Sequence, residues 1–233
     1  LEDFVFSNVD SLICITSTLS SEIKKVFPKC VSSHHILPVG FNKDFLKIQH
    51  HENTKYDVIY SGNFSEWKGL DILVEAISII KHQYNRDIKA VLIGANDQTK
   101  QQYEDQAKEL KVLDNIEIVK RVEHKKIYDY ISQSKVGVLS NKYDADGLLF
   151  TSPLKLYEYL GSGLKVVVSR LPSIESNVDQ SLVYYATPES PYSFAKEILN
   201  ALDDDAFEIN KVKDFSKNYT WESRGKSFME FIS

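Results

Sequence analysis

Apolar positions fall into two alternating periods along most of this chain. Short runs rich in β-branched and aromatic residues, DVIYSG (57–62), IKAVLIG (88–94), IEIVK (116–120), KVGVLS (135–140), KVVVS (165–169) and SLVYYA (181–186), predict strands. Between and after them the spacing turns helical. In Leu70 to Tyr84, Ile72, Leu73, Ala76, Ile77 and Ile80 share one face, and Thr99 to Val112, Lys125 to Gln133, Pro153 to Ser162 and Pro191 to Leu202 are expected to follow suit. Strand and helix alternating with short connections predict an α/β fold, an open parallel sheet covered on both faces, with ligands at the carboxyl ends of its strands. Ahead of this region, the stretch from Phe4 reads as helical, SLICIT as a short strand, Leu19 to Val26 as a helix and HHILPV as a strand. KIQHHENTK, Lys47 to Lys55, is polar throughout and reads as a boundary loop. Two further helices are expected, one around Ala206 to Asn218 and one from Trp221 to Ile232.

The most informative stretch is SPLKLYEYLGSG, Ser152 to Gly163. Ser152 suits an N-cap, Pro153 the first helical position and Gly163 a left-handed stop. At the helical repeat, Lys155, Glu158 and Ser162 fall within about 60° of one another on an otherwise apolar helix. A helix start offers unsatisfied N–H groups and the positive end of its dipole, so this one is a candidate anion site with a carboxylate just behind it.

Composition narrows the field. A net charge of −5, with 42% hydrophobic and 26% charged residues, is ordinary for a globular domain and gives no basic surface for nucleic acid. No apolar run approaches the roughly 18 residues of a membrane span, and LEDFVFSNVD lacks the pattern of a secretory signal. Cys14 and Cys30 have no metal or redox spacing and read as reduced thiols, which points to a cytoplasmic protein. The start at Leu1, inside what looks like structured sequence, reads as a fragment of a longer protein.

Three loops at strand ends carry the candidate chemistry. In YSGNFSEWKGL, Gly62 and Gly69 permit close backbone approach, and Lys68 stands before the next helix, where a cation is unfavourable unless an anion joins it. In KRVEHKK, Lys120, Arg121, Lys125 and Lys126 are placed on the cleft rim. The third, SNKYDADGLLFTSPLK, is long enough to be functional, and its Asp144 and Asp146 form only a lone D-x-D, too little for a metal site. The pairs His34-His35 and His50-His51 point to opposite faces of an extended chain, which disfavours chelation. A solvated lysine, a flexible charged loop and a plain packed helix account for the same letters. Without G-x-G-x-x-G, Walker or G-x-S-x-G patterns, nicotinamide, ATPase and hydrolase chemistry lose their support.

Together these loops resemble the nucleotide-sugar-binding C-terminal domain of the retaining glycosyltransferases of family 4, which have the GT-B architecture of two Rossmann-like domains. The resemblance rests on Gly62-Asn63-Phe64-Ser65-Glu66-Trp67-Lys68-Gly69, on SPLKLYEYLGSG, on VVVSRLPSIE and on TWESRGKSF, and covers nearly the whole chain. It implies an end of an N-terminal domain and linker over 1–47, a Rossmann-like nucleotide-sugar-binding domain over 48–218, and a crossover helix over 219–233. It further implies a retaining transfer of a hexose from a UDP-sugar or GDP-sugar to a glycan or lipid-linked glycan, in surface polysaccharide biosynthesis. Metal-independent binding is expected, with no cofactor, and peripheral membrane association for the full-length protein. Glu158 would accept from the ribose hydroxyls. Lys68 and the helix start formed by Ser152, Pro153, Leu154 and Lys155 would hold the diphosphate, beside Gly62 and Asn63, and backbone at Arg121 and Val122 would meet the base. Asn63 stands where the family has arginine, for which Lys142 or Lys155 would substitute, and Phe150 stands where a second glutamate is common. No catalytic residue is assigned, and the fragment is expected to bind donor weakly and transfer nothing. The alternative is a non-catalytic nucleotide-sugar-binding or scaffold module.

Overall fold

The computed structural model describes residues 2–30, 33–143 and 152–233. The chain opens with α1 (Glu2–Asn8), β1 (Ser11–Cys14), α2 (Ser17–Val26) and β2 (Ser33–Ile36), and β1 and β2 pair in parallel. The main sheet has six parallel strands: β3 (Tyr56–Ser61), β4 (Ala90–Ala95), β5 (Ile116–Lys120), β6 (Ser134–Leu139), β7 (Lys165–Ser169) and β8 (Tyr184–Ala186). Helices α3 (Leu70–His82), α4 (Asp97–Glu109), α5 (His124–Ser132), α6 (Leu154–Ser162), α7 (Pro172–Glu175), α8 (Pro191–Asp203), α9 (Ile209–Lys217) and α10 (Trp221–Ile232) complete the described elements.

Both faces of the sheet are covered, which is why its strands are apolar almost without interruption. Side-chain alternation sends Val58 and Tyr60 toward α3, α4 and α8, while Ile59 between them faces the layer built by α5, α6 and α9. The spatial order is β5-β4-β3-β6-β7-β8. The chain moves outward from β3 through β4 to β5, then returns to lay β6 on the other side of β3. Loops leaving β3 and β6 therefore part in opposite directions, and a crevice opens at their carboxyl ends.

Some boundaries shift for local reasons. Helix α4 starts two residues before the expected Thr99 because Asn96 and Thr99 form a reciprocal cap, side chain to backbone in both directions. Helix α9 starts after the expected Ala206, whose N–H donates instead to the Asp204 carboxylate at 3.0 Å. Strand β8 is confined to Tyr184–Ala186, because Leu182 is held in a turn by the Asp179 carbonyl.

Past α9 the chain returns to its own beginning. Phe41 N–H donates to the Tyr219 carbonyl (2.9 Å) and Trp221 N–H to the Phe41 carbonyl (3.1 Å), a parallel bridge that starts α10. Its Phe231 ring then stacks on His35 of β2, with centroids 4.5 Å apart. Neighbouring histidines do face different surroundings: His34 meets the Ser20 hydroxyl at 2.7 Å, and His50 donates to the Ser162 carbonyl at 2.9 Å. Cys14 and Cys30 are thiols with no disulfide. Among the described residues, no helix is long and apolar enough to cross a membrane.

Candidate functional site

The site is assembled where β3 and β6 end. The loop after β3 turns sharply under three constraints: the Tyr60 hydroxyl donates to the Asn63 carbonyl (2.7 Å), Gly62 N–H donates to the Ile93 carbonyl (3.0 Å), and Gly94 sits directly beneath. Gly94 has φ +121°, and a Cβ there would lie 1.9 Å from the Gly62 carbonyl oxygen. No other residue fits. The far end of the loop is tied to β6: the Ser140 hydroxyl donates to the Lys68 carbonyl (3.0 Å) and Lys142 N–H to the Trp67 carbonyl (2.9 Å). Gly69, at φ +64°, lets α3 begin there, where a Cβ would meet the Ser140 carbonyl oxygen at 2.1 Å.

Helix α6 is fastened to the same loop from the other side. The Tyr159 hydroxyl accepts from Ser61 N–H (2.7 Å) and lies 3.0 Å from the Ser61 Oγ, all three atoms buried. Burial holds this phenol above its ordinary range, so it stays a neutral group that can both accept and donate. The expected cap is different: Pro153, not Ser152, occupies the N-cap position, and it makes no side-chain capping bond. Ser152 instead accepts from the N–H of Val39 at 3.3 Å, because the chain after β2 passes next to it. The expected αL stop holds, with Gly163 at φ +88°. Among the described residues no side chain caps α6, and the N–H groups of Leu154 and Lys155 meet no acceptor there, which suits a ligand.

Two adjoining hollows form one cleft along this edge. The narrower, about 220 Å³, is lined by Gly62, Asn63, Trp67, Lys68, Pro153, Leu154 and Lys155 among others. The wider, about 470 Å³, shares Gly62, Asn63 and Lys155 and adds Ile93, Gly94, Arg121, Val122, His124 and Ile127. The larger cavities elsewhere lie at the opposite ends of the strands, around Lys55, Tyr56 and Glu117. Of the residues singled out from sequence, Gly62, Asn63, Lys68, Arg121, Val122, Pro153, Leu154 and Lys155 thus share one cleft. Ser152 and Glu158 do not line it; Glu158, at 2% exposure, is buried behind Lys155 and His124, which do.

The charges in the cleft are unevenly matched. Lys68 lies with its Nζ 3.6 Å from the Trp67 ring centroid, and burial brings its ammonium down to about 8 from the ordinary 10.5, with no carboxylate acting on it among the described residues. A desolvated cation without a counter-ion is a site that gains by taking up an anion. Glu158 is better supplied: Lys155 Nζ donates to its Oε2 at 2.6 Å, and His124 Nε2 lies 3.5 Å from its Oε1.

Other expected cations are elsewhere. Lys120 is paired with Asp97 at the start of α4, Lys126 lines the hollow at the opposite end of the strands, and Lys125 lines neither part of the cleft, so of the four expected there Arg121 alone reaches it. Lys142 cannot replace the arginine missing at Asn63, because it is bound to Asp71 at 3.0 Å outside the cleft. Lys155 does line the cleft, although it is paired with Glu158 there. Asp144, Asp146 and Phe150 lie outside the described residues. Sequence reasoning passed over His124, concealed among lysines although it opens the helix after β5, and Tyr159, which looked like one more apolar letter in α6.

The model of the glycosyl transferases group 1 family matches residues 42–220. The chain belongs to this family. Solved structures agree on the fold. A glycosyltransferase from Rickettsia africae superposes with a TM-score of 0.82 at 13% identity, over 98% of this chain and 65% of its own. Sucrose-phosphate synthase from Thermosynechococcus elongatus gives 0.77 at 18%, over 99% and 59%, and Anabaena HepE, in complex with UDP and glucose, 0.72 at 14%, over 96% and 63%. No curated protein matches. The chain thus spans less than two thirds of the length of these structures. Its six-stranded parallel sheet is that of the C-terminal domain of a GT-B group 1 glycosyltransferase.

Proposed function

We propose that this chain is the donor-binding part of a retaining family 4 hexosyltransferase, which moves a hexose from a UDP-sugar or GDP-sugar to a glycan or lipid-linked glycan during surface polysaccharide synthesis. The observation that carries this reading is Lys68, a desolvated cation with no carboxylate acting on it among the described residues, in the same narrow hollow as the uncapped start of α6. A diphosphate there would accept from Lys68 and from the N–H groups of Leu154 and Lys155, which offset the charge that builds on it as the sugar departs. Glu158, one turn further along α6, would accept from the two ribose hydroxyls. The base would enter the wider part, between the backbone at Arg121 and Val122 and the apolar side chains of Ile93 and Ile127. Asn63 keeps a role without the family's arginine: Ser65 donates to its Oδ1 at 2.8 Å, which leaves the amide nitrogen to face a phosphate.

Charge supplied by side chains and helix start makes donor binding independent of a divalent cation in this reading. UDP or GDP is expected to raise the melting temperature of the chain, equally with and without EDTA, and Lys68→Ala or Glu158→Ala each to remove the rise. A rise that survives both substitutions places the nucleotide elsewhere. Turnover of a nucleotide sugar is expected from the longer protein only, located in the cytoplasm or on the inner membrane face. A longer protein that binds donor and transfers nothing would favour the alternative, a nucleotide-sugar-binding or scaffold module, of which Asn63 in place of arginine would be the mark.

A further inference from the structure

Among the described residues, Lys155 is the one cation that lines both parts of the cleft; Lys68 belongs to the narrow part alone, and Arg121 and His124 to the wide part alone. In the empty cleft its charge is committed. Its Nζ lies 2.6 Å from Glu158 Oε2, and a carboxylate at 2% exposure requires such a donor. The remaining support for Glu158 is weak, since His124 approaches Oε1 only to 3.5 Å and is itself half exposed. The Lys155 side chain is 23% exposed, its ammonium is carried on a flexible stem at the junction of the two hollows, and it can change partner without moving α6.

We infer that Lys155 is an exchangeable counter-ion, held by Glu158 while the cleft is empty and drawn to the diphosphate when it fills. This rests on the reading of the cleft as a nucleoside diphosphate site, and deepens it. Two anions, a buried carboxylate and a diphosphate at the start of α6, compete for one ammonium. Once Lys155 turns to the phosphates, Glu158 lacks its short hydrogen bond, and the two ribose hydroxyls are the donors that replace it. Nucleoside and diphosphate therefore bind with positive coupling through this one side chain. A nucleoside alone meets a glutamate already taken, so the cleft discriminates against ligands without phosphates.

The test is calorimetric, on the 233-residue chain. Uridine and guanosine are titrated with and without saturating sodium pyrophosphate, and pyrophosphate is titrated alone. The nucleoside that fits is expected to bind about five- to tenfold more tightly in the presence of pyrophosphate. The gain disappears in Lys155→Gln and persists in Lys155→Arg. Glu158→Gln is expected to tighten pyrophosphate binding while weakening the nucleoside, because Lys155 is then released. In the Lys155→Gln background the same change should leave pyrophosphate untouched. This double variant holds no unpaired buried charge, so it keeps the comparison readable if Lys155→Gln alone folds poorly. Equal nucleoside affinity with and without pyrophosphate overturns the exchange. So does a tightening by Glu158→Gln that survives in the double variant, which is simple relief of repulsion. Wild-type chain that binds neither pyrophosphate nor either nucleoside overturns the donor-site reading, and the exchange with it.

Discussion

Lys68→Met is expected to make the empty chain more stable while abolishing its response to nucleotides. Burial lowers the Lys68 ammonium to about 8 from the ordinary 10.5, which corresponds to about 3 kcal/mol of desolvation carried by the folded state. Contact with the Trp67 ring at 3.6 Å returns about 1 kcal/mol of this, leaving a net penalty of about 2 kcal/mol. Methionine fills a similar volume, keeps contact with the ring and carries no charge. In a chain of 233 residues that difference raises the melting temperature by about 4 to 8 °C. The sign of the pH dependence follows from proton counts. Below about pH 8 the lysine is charged in both folded and unfolded chains, and the whole penalty is present. Between about 8 and 10.5 the folded chain binds fewer protons than the unfolded one, so wild-type stability climbs relative to the variant and the penalty fades. Paired thermal melts of wild type and variant at pH 7 and pH 9.5, with and without UDP or GDP, check both parts. A variant that melts at or below wild type at pH 7, or an advantage equal at the two pH values, would refute the assignment of Lys68 as a desolvated cation awaiting an anion.

Other substitutions probe the frame of the cleft. Gly94→Ala places a Cβ 1.9 Å from the Gly62 carbonyl oxygen at a φ of +121°, so urea denaturation should show a loss of at least about 3 kcal/mol; a loss under about 1 kcal/mol contradicts the packing described. Tyr159→Phe strands the buried Ser61 N–H and is expected to cost about 1 to 3 kcal/mol and to weaken nucleotide binding, by calorimetry, through the displaced loop. Ser152→Ala removes partners of the Val39 N–H and of the buried Tyr157 hydroxyl but no helix cap, so the same denaturation assay should show a loss of about 0.5 to 1.5 kcal/mol; a loss above about 2 kcal/mol contradicts this placement of the hydroxyl.

The elements legible in the sequence are those whose signals are local. β5 and α10 fall at the expected residues because a β-branched run and a capped amphipathic stretch are complete within themselves. The loops after β3 and β5 and the start of α6 were expected at one edge, and the parallel order brings them there. What escaped depends on partners distant in sequence. Ser152 looks like a cap to its own helix, yet Val39, more than a hundred positions away, claims its hydroxyl. Lys142 and Lys120 look like cleft cations until Asp71 and Asp97 are placed beside them. Tyr159 reads as core until its hydroxyl is found under Ser61. Charge in a sequence shows that a side chain needs a partner; only packing shows which one it has.

The central claim is that one helix start holds a diphosphate while the carboxylate one turn along it takes the ribose. A crystal structure of the chain soaked with UDP or GDP tests it most directly. A diphosphate is expected in hydrogen-bond contact with Lys68 Nζ and the N–H groups of Leu154 and Lys155, with ribose hydroxyls on Glu158. A nucleotide bound elsewhere, or bound here with Glu158 still held only by Lys155 and His124, would contradict it.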